Sequence, residues 1–276
     1  MENILTLAIV GLFVVLLAVD ALRPARTQPA VRGWRLMGIV FFFLYFAIAM
    51  LAPLVWSDIL AEHQLVDASG LGTIGGAIVG LVVVDLATYL WHFALHHVSF
   101  LWRWFHQVHH SAERIDTAGA FYFSPLDVVG FSFAGSFALV WALGVNTEAA
   151  LIAFAIMTGL AIFQHANLRT PSWLGYLVQR PEAHNLHHGR GIHAFNYGSL
   201  GLWDLVFGTW RNPAEWTGKT GLFDGSTYQL GAMLRGRDVT AEHERAGRAA
   251  DPDVSFDSRP TLPSLNVMVS ANRTLD

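Results

Sequence analysis

The sequence predicts an all-α integral membrane protein: a bundle of about four to five hydrophobic helices beneath a cytosolic, histidine-rich helical cap that holds a dimetal centre. Three observations predict it. Of the 276 residues, 53% are hydrophobic and 14% charged, against about 25% charged in soluble domains. Five apolar runs approach or reach the roughly 20 helical residues that cross a bilayer. Nine histidines crowd into repeated HxxxH and HxxHH spacings, with one isolated member.

The first run, residues 4–22, lacks a basic leading region and a small-residue cleavage site, so it reads as a retained membrane helix rather than a cleaved signal. The second and third runs cover residues 37–56 and 72–90. The fourth, 128–145, contains Gly130, Gly135 and Ser136, and the fifth, 149–163, is short; either can be re-entrant, or the two can pair as a hairpin. Short cytoplasmic loops carry excess positive charge. The loop after the first run holds Arg23, Arg26, Arg32 and Arg35, whereas the loop after the second holds Asp58, Glu62 and Asp67 without Lys or Arg. The first loop is then cytoplasmic. Threading onward, the third helix delivers His92 and His96 to the cytoplasmic end, and the fifth returns His165 there beside Arg169.

Beyond the fifth run, residues 171–178, with Trp173 and Tyr176, read as a short interfacial stretch, and residues 200–210 as a second. The expected organisation is an N-terminal membrane region (1–70), a catalytic region (71–210) and a polar extension (211–276) that is largely disordered after about 236. A net charge of −4 and a pI near 6.3 give no reason to expect a nucleic-acid partner. Cysteine is absent, which removes disulfides, iron–sulfur clusters and thiolate-rich zinc sites; any metal is held by nitrogen and oxygen.

The histidines form a pair, His92 and His96; a trio, His106, His109 and His110; a second trio, His184, His187 and His188; and the lone His165. Each spacing puts imidazoles one helical turn apart, so each cluster can face one shared metal. Nine ligands exceed what one ion takes. Two ions with four or five nitrogens each keep room for water or O2, which suits a dinuclear iron centre. Asp85, seven residues before His92 and inside an apolar helix, is expected to hydrogen-bond a ligand histidine; Glu113, Asp127, Glu182 and Asp204 are weaker candidates for that work. Asn196 is expected to supply an oxygen ligand or a water contact. His97 and His193 are additional candidate ligands, while His63 and His243 read as solvated. Trp91, Trp102, Trp104 and Phe105 read as interface anchors and packing residues.

The run Trp91-His92-Phe93-Ala94-Leu95-His96-His97, then Phe105-His106-Gln107-Val108-His109-His110-Ser111, resembles the first two histidine boxes of the fatty acid hydroxylase superfamily, which includes sterol desaturases and alkylglycerol monooxygenase. Phe163-Gln164-His165-Ala166-Asn167 and His184-Asn185-Leu186-His187-His188-Gly189 match as well, followed by Asn196-Tyr197-Gly198 and Trp203-Asp204. The resemblance spans residues 85–210 and implies a membrane-bound, O2-dependent diiron enzyme acting on a lipid. The nine histidines would be its ligands. Phe93 stands where the family often has Arg, and Arg169 where some members carry a further histidine; a tenth ligand would then come from His97, His193 or water.

The leading expectation is hydroxylation of an unactivated C–H bond in a sterol, acyl chain, ether lipid or isoprenoid, with desaturation as the runner-up. Two iron ions would serve as cofactor, with zinc as a substitute in purified protein. No dinucleotide-binding glycine fingerprint follows a strand, so electrons would come from a separate ferredoxin, cytochrome or reductase. The alternatives from other classes are a membrane metal transporter, a metal-binding protein without oxygenase activity, and a bis-histidine haem protein.

Overall fold

The computed structural model describes residues 1–250, and every regular element in them is helical; the ladder pairings among the described residues are two isolated bridges, Val178 with Leu200 and Gly189 with Thr220. Helices α1 (Glu2–Leu22) and α2 (Trp34–Leu51) are joined by a loop that ends in Gly33 at φ 75°. A short α3 (Ser57–Glu62) leads to α4 (Gly72–His97), which runs seven residues past the expected end of the third apolar run and so carries the first histidine pair itself. Next come α5 (Ser99–Leu101), a π-helical turn (Trp102–His106) and α6 (Gln107–His110). Helix α7 (Pro125–Ser136) starts on a Ser124 cap whose Oγ accepts from the Asp127 N–H at 3.1 Å, with Pro125 in the first turn,. It continues as a second π-helical segment (Phe137–Ala142). Helix α8 (Thr147–His165) is capped by Asn146, whose Oδ1 accepts from the Ala149 N–H at 2.9 Å.

Among the described residues, five helices are long and apolar enough to span a membrane: Asn3–Leu22, Trp34–Val55, Ser69–His97, Pro125–Ala142 and Thr147–His165. The fourth and fifth apolar runs therefore each reach spanning length. Small residues allow α4 to approach its neighbours: a Cβ on Gly76 would lie 2.9 Å from that of Ala149, and one on Gly80 would lie 2.9 Å from Leu139,. Ile9, Phe13, Phe42, Phe121 and Ile162 pack α1 and α2 against α8.

The two ends of the bundle differ. At one, the Ala25 N–H donates to the Asn167 carbonyl at 3.0 Å, joining the arginine-bearing loop to the chain just past His165. At the other, Leu65 and Ala68 donate to the carbonyls of Trp141 and Leu143. The histidine boxes and the arginine loop thus share one end, and the acidic loop occupies the opposite one.

The cap is completed by α9 (Pro181–His187), α10 (Gly201–Phe207), α11 (Leu230–Met233) and α12 (Val239–Ala250). Helix α12 falls within the stretch expected to be largely disordered after about residue 236 and is ordered over Val239–Ala250. Its polar composition hid local support: the Asp238 side chain accepts from the Ala241 N–H at 3.0 Å, Val239 is buried, and His243 stacks on Phe223 with ring centroids 4.0 Å apart. The rest of that expectation, residues 251–276, lies outside the described residues.

Candidate metal centre

The nine histidines meet in two groups whose ligand atoms lie within 4.8 Å of one another: His92, His96, His106, His110 and His187 in one, His109, His165, His184 and His188 in the other. Each HxxHH trio is divided between them, which corrects the expectation that each cluster faces a single metal. The reason is helical geometry: residues i and i+4 are about 40° apart around the axis, whereas i+3 and i+4 are about 100° apart. His106 and His110 therefore share one face and His109 turns away, while in α9 the pair His184 and His188 joins the second group and His187 crosses to the first. The two trios lie against each other, with the His110 and His188 rings stacked at 4.1 Å.

Outward hydrogen bonds fix several tautomers. His92 Nδ1 donates to the Tyr197 carbonyl at 2.9 Å, His187 Nδ1 to the Phe195 carbonyl at 2.7 Å, and His165 Nδ1 to the Ala161 carbonyl at 2.7 Å. His106 Nδ1 donates to Asp127 Oδ2 at 2.7 Å. A carbonyl only accepts, so these contacts leave Nε2 as a bare lone pair. His92 Nε2 and His106 Nε2 then face each other at 3.0 Å, as two acceptors with no proton between them. Two facing lone pairs repel, and a shared cation turns that repulsion into coordination. The other Nε2 separations, 3.3 Å for His92–His96, 3.2 Å for His109–His165, 2.9 Å for His165–His184 and 3.1 Å for His184–His188, match the edge of a polyhedron of metal–nitrogen bonds of about 2.1 Å. His187 Nε2 and His110 Nε2 are buried without a partner. The donor set fits two metal ions.

Burial, and after it the neighbouring imidazoles, hold His106, His109, His110, His184 and His188 well below the usual histidine range. Burial does the same to His187, with His92 as the next cause. Neutral imidazole is the ligand form.

The remaining candidates find other places. Asp85 bonds no histidine: its carboxylate accepts from the backbone N–H of Ser199 at 2.7 Å and of Leu200 at 3.2 Å. Asn196 is not among the converging ligands, because its Nδ2 donates to the Ala183 carbonyl at 3.1 Å and its Oδ1 accepts from the Arg211 N–H at 2.7 Å. His97 is exposed and stacks on Phe93 at 3.7 Å. His193 sits outside both groups, with Nδ1 3.0 Å from His110 Nδ1 and its ring against Trp102. Glu182 and Glu113 hold Thr170 and Thr227 rather than imidazoles. Among the candidate carboxylates of the described residues, Asp127 is the one that meets a ring of the two groups.

Sequence reasoning missed the loop at residues 193–200. His193, Phe195 and Asn196 adopt positive φ of 41°, 69° and 51°, a conformation costing non-glycine residues about 1–3 kcal/mol each. The loop is held in place from several sides. Asp204 accepts from the N–H groups of Tyr197 at 2.9 Å and Gly198 at 2.8 Å and from Thr209 Oγ1 at 2.6 Å. Asp85 holds the next two N–H groups, and the Gln179 side chain donates to the Asn196 carbonyl. The strained turn aims the carbonyls of Phe195 and Tyr197 at His187 and His92. Burial raises Asp204 to about 6 despite those three donors. The available signal was the pair of acids, Asp85 and Asp204, in otherwise apolar helices.

Below the histidines a cavity of about 100 Å³ runs between α4, α7 and α8. His92 and His106 of one group and His109, His165 and His184 of the other reach its wall, which is otherwise mainly apolar, with Phe121, Phe123, Phe131, Phe154 and Met157. It has room for a short length of hydrocarbon chain beside both groups.

The family model for fatty acid hydroxylase matches residues 77–209. The chain is 31% identical over 143 residues to an ornithine lipid hydroxylase, OlsE, of Rhizobium tropici, covering 49% of this chain and 42% of that protein. It is 28% identical to a Delta(7)-sterol-C5(6)-desaturase of Nicotiana tabacum, covering 58% of each, and 26% identical to the fatty acid hydroxylase ahd1 of Mycosarcoma maydis, covering 60% and 41%. The chain spans about half the length of these curated relatives. No solved structure matches it.

Proposed function

We propose, for a chain that belongs to the fatty acid hydroxylase superfamily through residues 77–209, that it is a membrane-bound, O2-dependent diiron oxygenase that hydroxylates an unactivated C–H bond of a membrane lipid. The observation that carries the reading is the convergence of five and four imidazoles at the head of an apolar cavity inside a membrane bundle. In this reading His92, His96, His106, His110 and His187 hold one iron, and His109, His165, His184 and His188 hold the other. The ions supply oxidising power: O2, two electrons from a separate donor and two protons convert one C–H bond to C–OH and release one water. The protein's own contribution is orientation and dryness. Asp127 and the carbonyls of Phe195, Tyr197 and Ala161 fix the imidazole planes, and the phenylalanine-lined cavity keeps a chain segment beside both groups and bulk water away.

The catalytic unit is residues 71–210, with α1 and α2 packed against it, and the histidine end faces the cytoplasm because the arginine-bearing loop shares that end. A metal transporter would require ligands spaced along the membrane interior; the two groups instead sit together at one end, which disfavours that reading. The similarity to an ornithine lipid hydroxylase makes amino-acid-containing acyl lipids the first substrates to try. The test is comparative lipid mass spectrometry of cells expressing the chain or its His109→Ala variant, alongside iron analysis of both proteins. One lipid gaining a single oxygen only with the intact chain, which carries two irons, is the expected result. A loss of two hydrogens instead would establish desaturation, and no difference with iron fully loaded and reductant supplied would overturn the oxygenase reading.

A further inference from the structure

We propose that a second cavity, between the loop after α1 and the cap, binds the anionic headgroup, phosphate or carboxylate, of a membrane lipid. Its volume is about 550 Å³, within the roughly 300–1,000 Å³ of ligand sites. Four cations line it, Arg26, Arg169, Arg190 and Lys219, against two carboxylates, Glu113 and Asp224. Both carboxylates are already committed. Glu113 accepts from the Gly225 N–H at 3.0 Å and from Thr227 Oγ1 at 3.1 Å, and Asp224 pairs with Arg190 at 2.7 Å and Lys219 at 3.7 Å.

The donors are not. Both Nη atoms of Arg26, Nε of Arg190 and the indole Nε1 of Trp216 are buried without a hydrogen-bond partner. Two further carboxylates act on Arg26 through their charge, Glu182 and Asp20, and neither bonds its guanidinium. Asp20 accepts from the N–H groups of Thr117 at 2.7 Å and Asn167 at 2.9 Å, and Glu182 is taken up by Thr170 and Arg180. A net-cationic hollow with four unpartnered donor nitrogens calls for a group that only accepts, and an oxyanion with several oxygens is that group.

Position favours a lipid as its bearer. Arg26 lies four residues beyond Leu22, the end of one candidate membrane span, and Arg169 four beyond His165, the end of another. Both stand where headgroups meet water. The side chain of Asn167, two residues before Arg169, ties the Arg26 backbone to that segment, accepting from the Arg26 N–H at 3.0 Å and donating to its carbonyl at 2.8 Å. The residues that carry these donors line a hollow of bounded volume, which suits one small anionic group rather than a flat protein surface. Arg169, exposed and without an ion pair among the described residues, stands at the mouth. The proposal does not depend on the oxygenase reading.

The test offers the purified full chain equal amounts of phosphatidylglycerol and phosphatidylcholine in mixed micelles and reads bound lipid by native mass spectrometry, with inorganic phosphate as a separate arm. The wild-type chain is expected to retain the anionic lipid at least about tenfold over the zwitterionic one. Arg26→Gln/Arg169→Gln abolishes the preference, and Arg235→Gln, an exposed cation elsewhere, leaves it intact. Arg169→Gln alone, which removes no bond from the fold, lowers it part way and serves if the double variant fails to fold. An unchanged preference in Arg169→Gln or in the double variant overturns the site. Uptake of inorganic phosphate without discrimination between the lipids overturns the lipid assignment.

Discussion

The two histidine groups are made of the same side chain and are held by different means. In the five-membered group, His92, His106 and His187 each donate Nδ1–H outward, to Tyr197, Asp127 and Phe195, and His110 meets His193. In the four-membered group, His165 has such a bond, to a carbonyl of its own helix, and His109 faces the Tyr122 backbone. Nδ1 of His184 and His188 is buried without a partner, and the His109 ring is placed by stacking on Phe123 at 4.1 Å. One group is oriented by hydrogen bonds from a dedicated loop and a carboxylate; the other is oriented by helix geometry and ring packing. Outward bonds fix ring orientation and raise ligand basicity, so the first group is the more tightly organised of the two candidate metal sites.

Removing one ligand from each group tests the partition itself. On the proposed diiron reading, His106→Ala and His184→Ala should each lower bound iron from two per chain towards one. Each should reduce product formation by more than the roughly 10–100-fold typical of losing an outer partner. Iron analysis with a lipid-product assay reads both effects. Retention of two irons in either variant would break the assignment of that histidine to its group.

The next largest effect should fall on one group only. Asp127→Ala removes the acceptor that fixes the His106 ring, so iron titrated into the metal-free variant should bind the first site about 10–100-fold more weakly while the second keeps its affinity. Asp127→Asn, whose carbonyl still accepts from Nδ1–H, should restore most of the loss. Equal weakening of both sites would erase the contrast between the groups.

Much of this architecture is legible in the chain. The five apolar runs become five spanning-length helices, and all nine histidines of the boxes reach the two groups. The spacing also contains the partition, since i and i+4 lie about 40° apart around the axis and i+3 lies about 100° from i+4, but assigning each face to a group requires the crossing of α6 and α9, a tertiary fact. The role of Asp85 was hidden for a different reason. A buried acid announces that it has partners without naming them, and backbone N–H groups 114 and 115 residues away leave no mark in the sequence. Left-handed backbone at Phe195 and Asn196 is equally silent, because neither is glycine; only Asn is enriched there. Helix α12 was obscured by composition, since its supports are a capping aspartate and a ring stack rather than an apolar stripe.

The smallest of these effects separates direct support of a ligand from support at one remove. Asp85 holds the loop whose Tyr197 carbonyl accepts from His92, so its substitution should disturb the first group through that loop. In Asp85→Asn one oxygen can still accept, but an amide N–H₂ then faces the Ser199 and Leu200 donors. Leaving a buried N–H unpaired costs about 1–3 kcal/mol, and a loss of that size should appear in thermal unfolding of the metal-free protein. Iron affinity of the first site should fall by less than in Asp127→Ala, and the second site should not change. A loss as large as that of Asp127→Ala would mean that the loop, not the carboxylate on His106, is the principal organiser of the first site. An unchanged unfolding temperature with unchanged iron affinity would remove Asp85 from the support of either group and leave Asp204 as the acid that holds the turn.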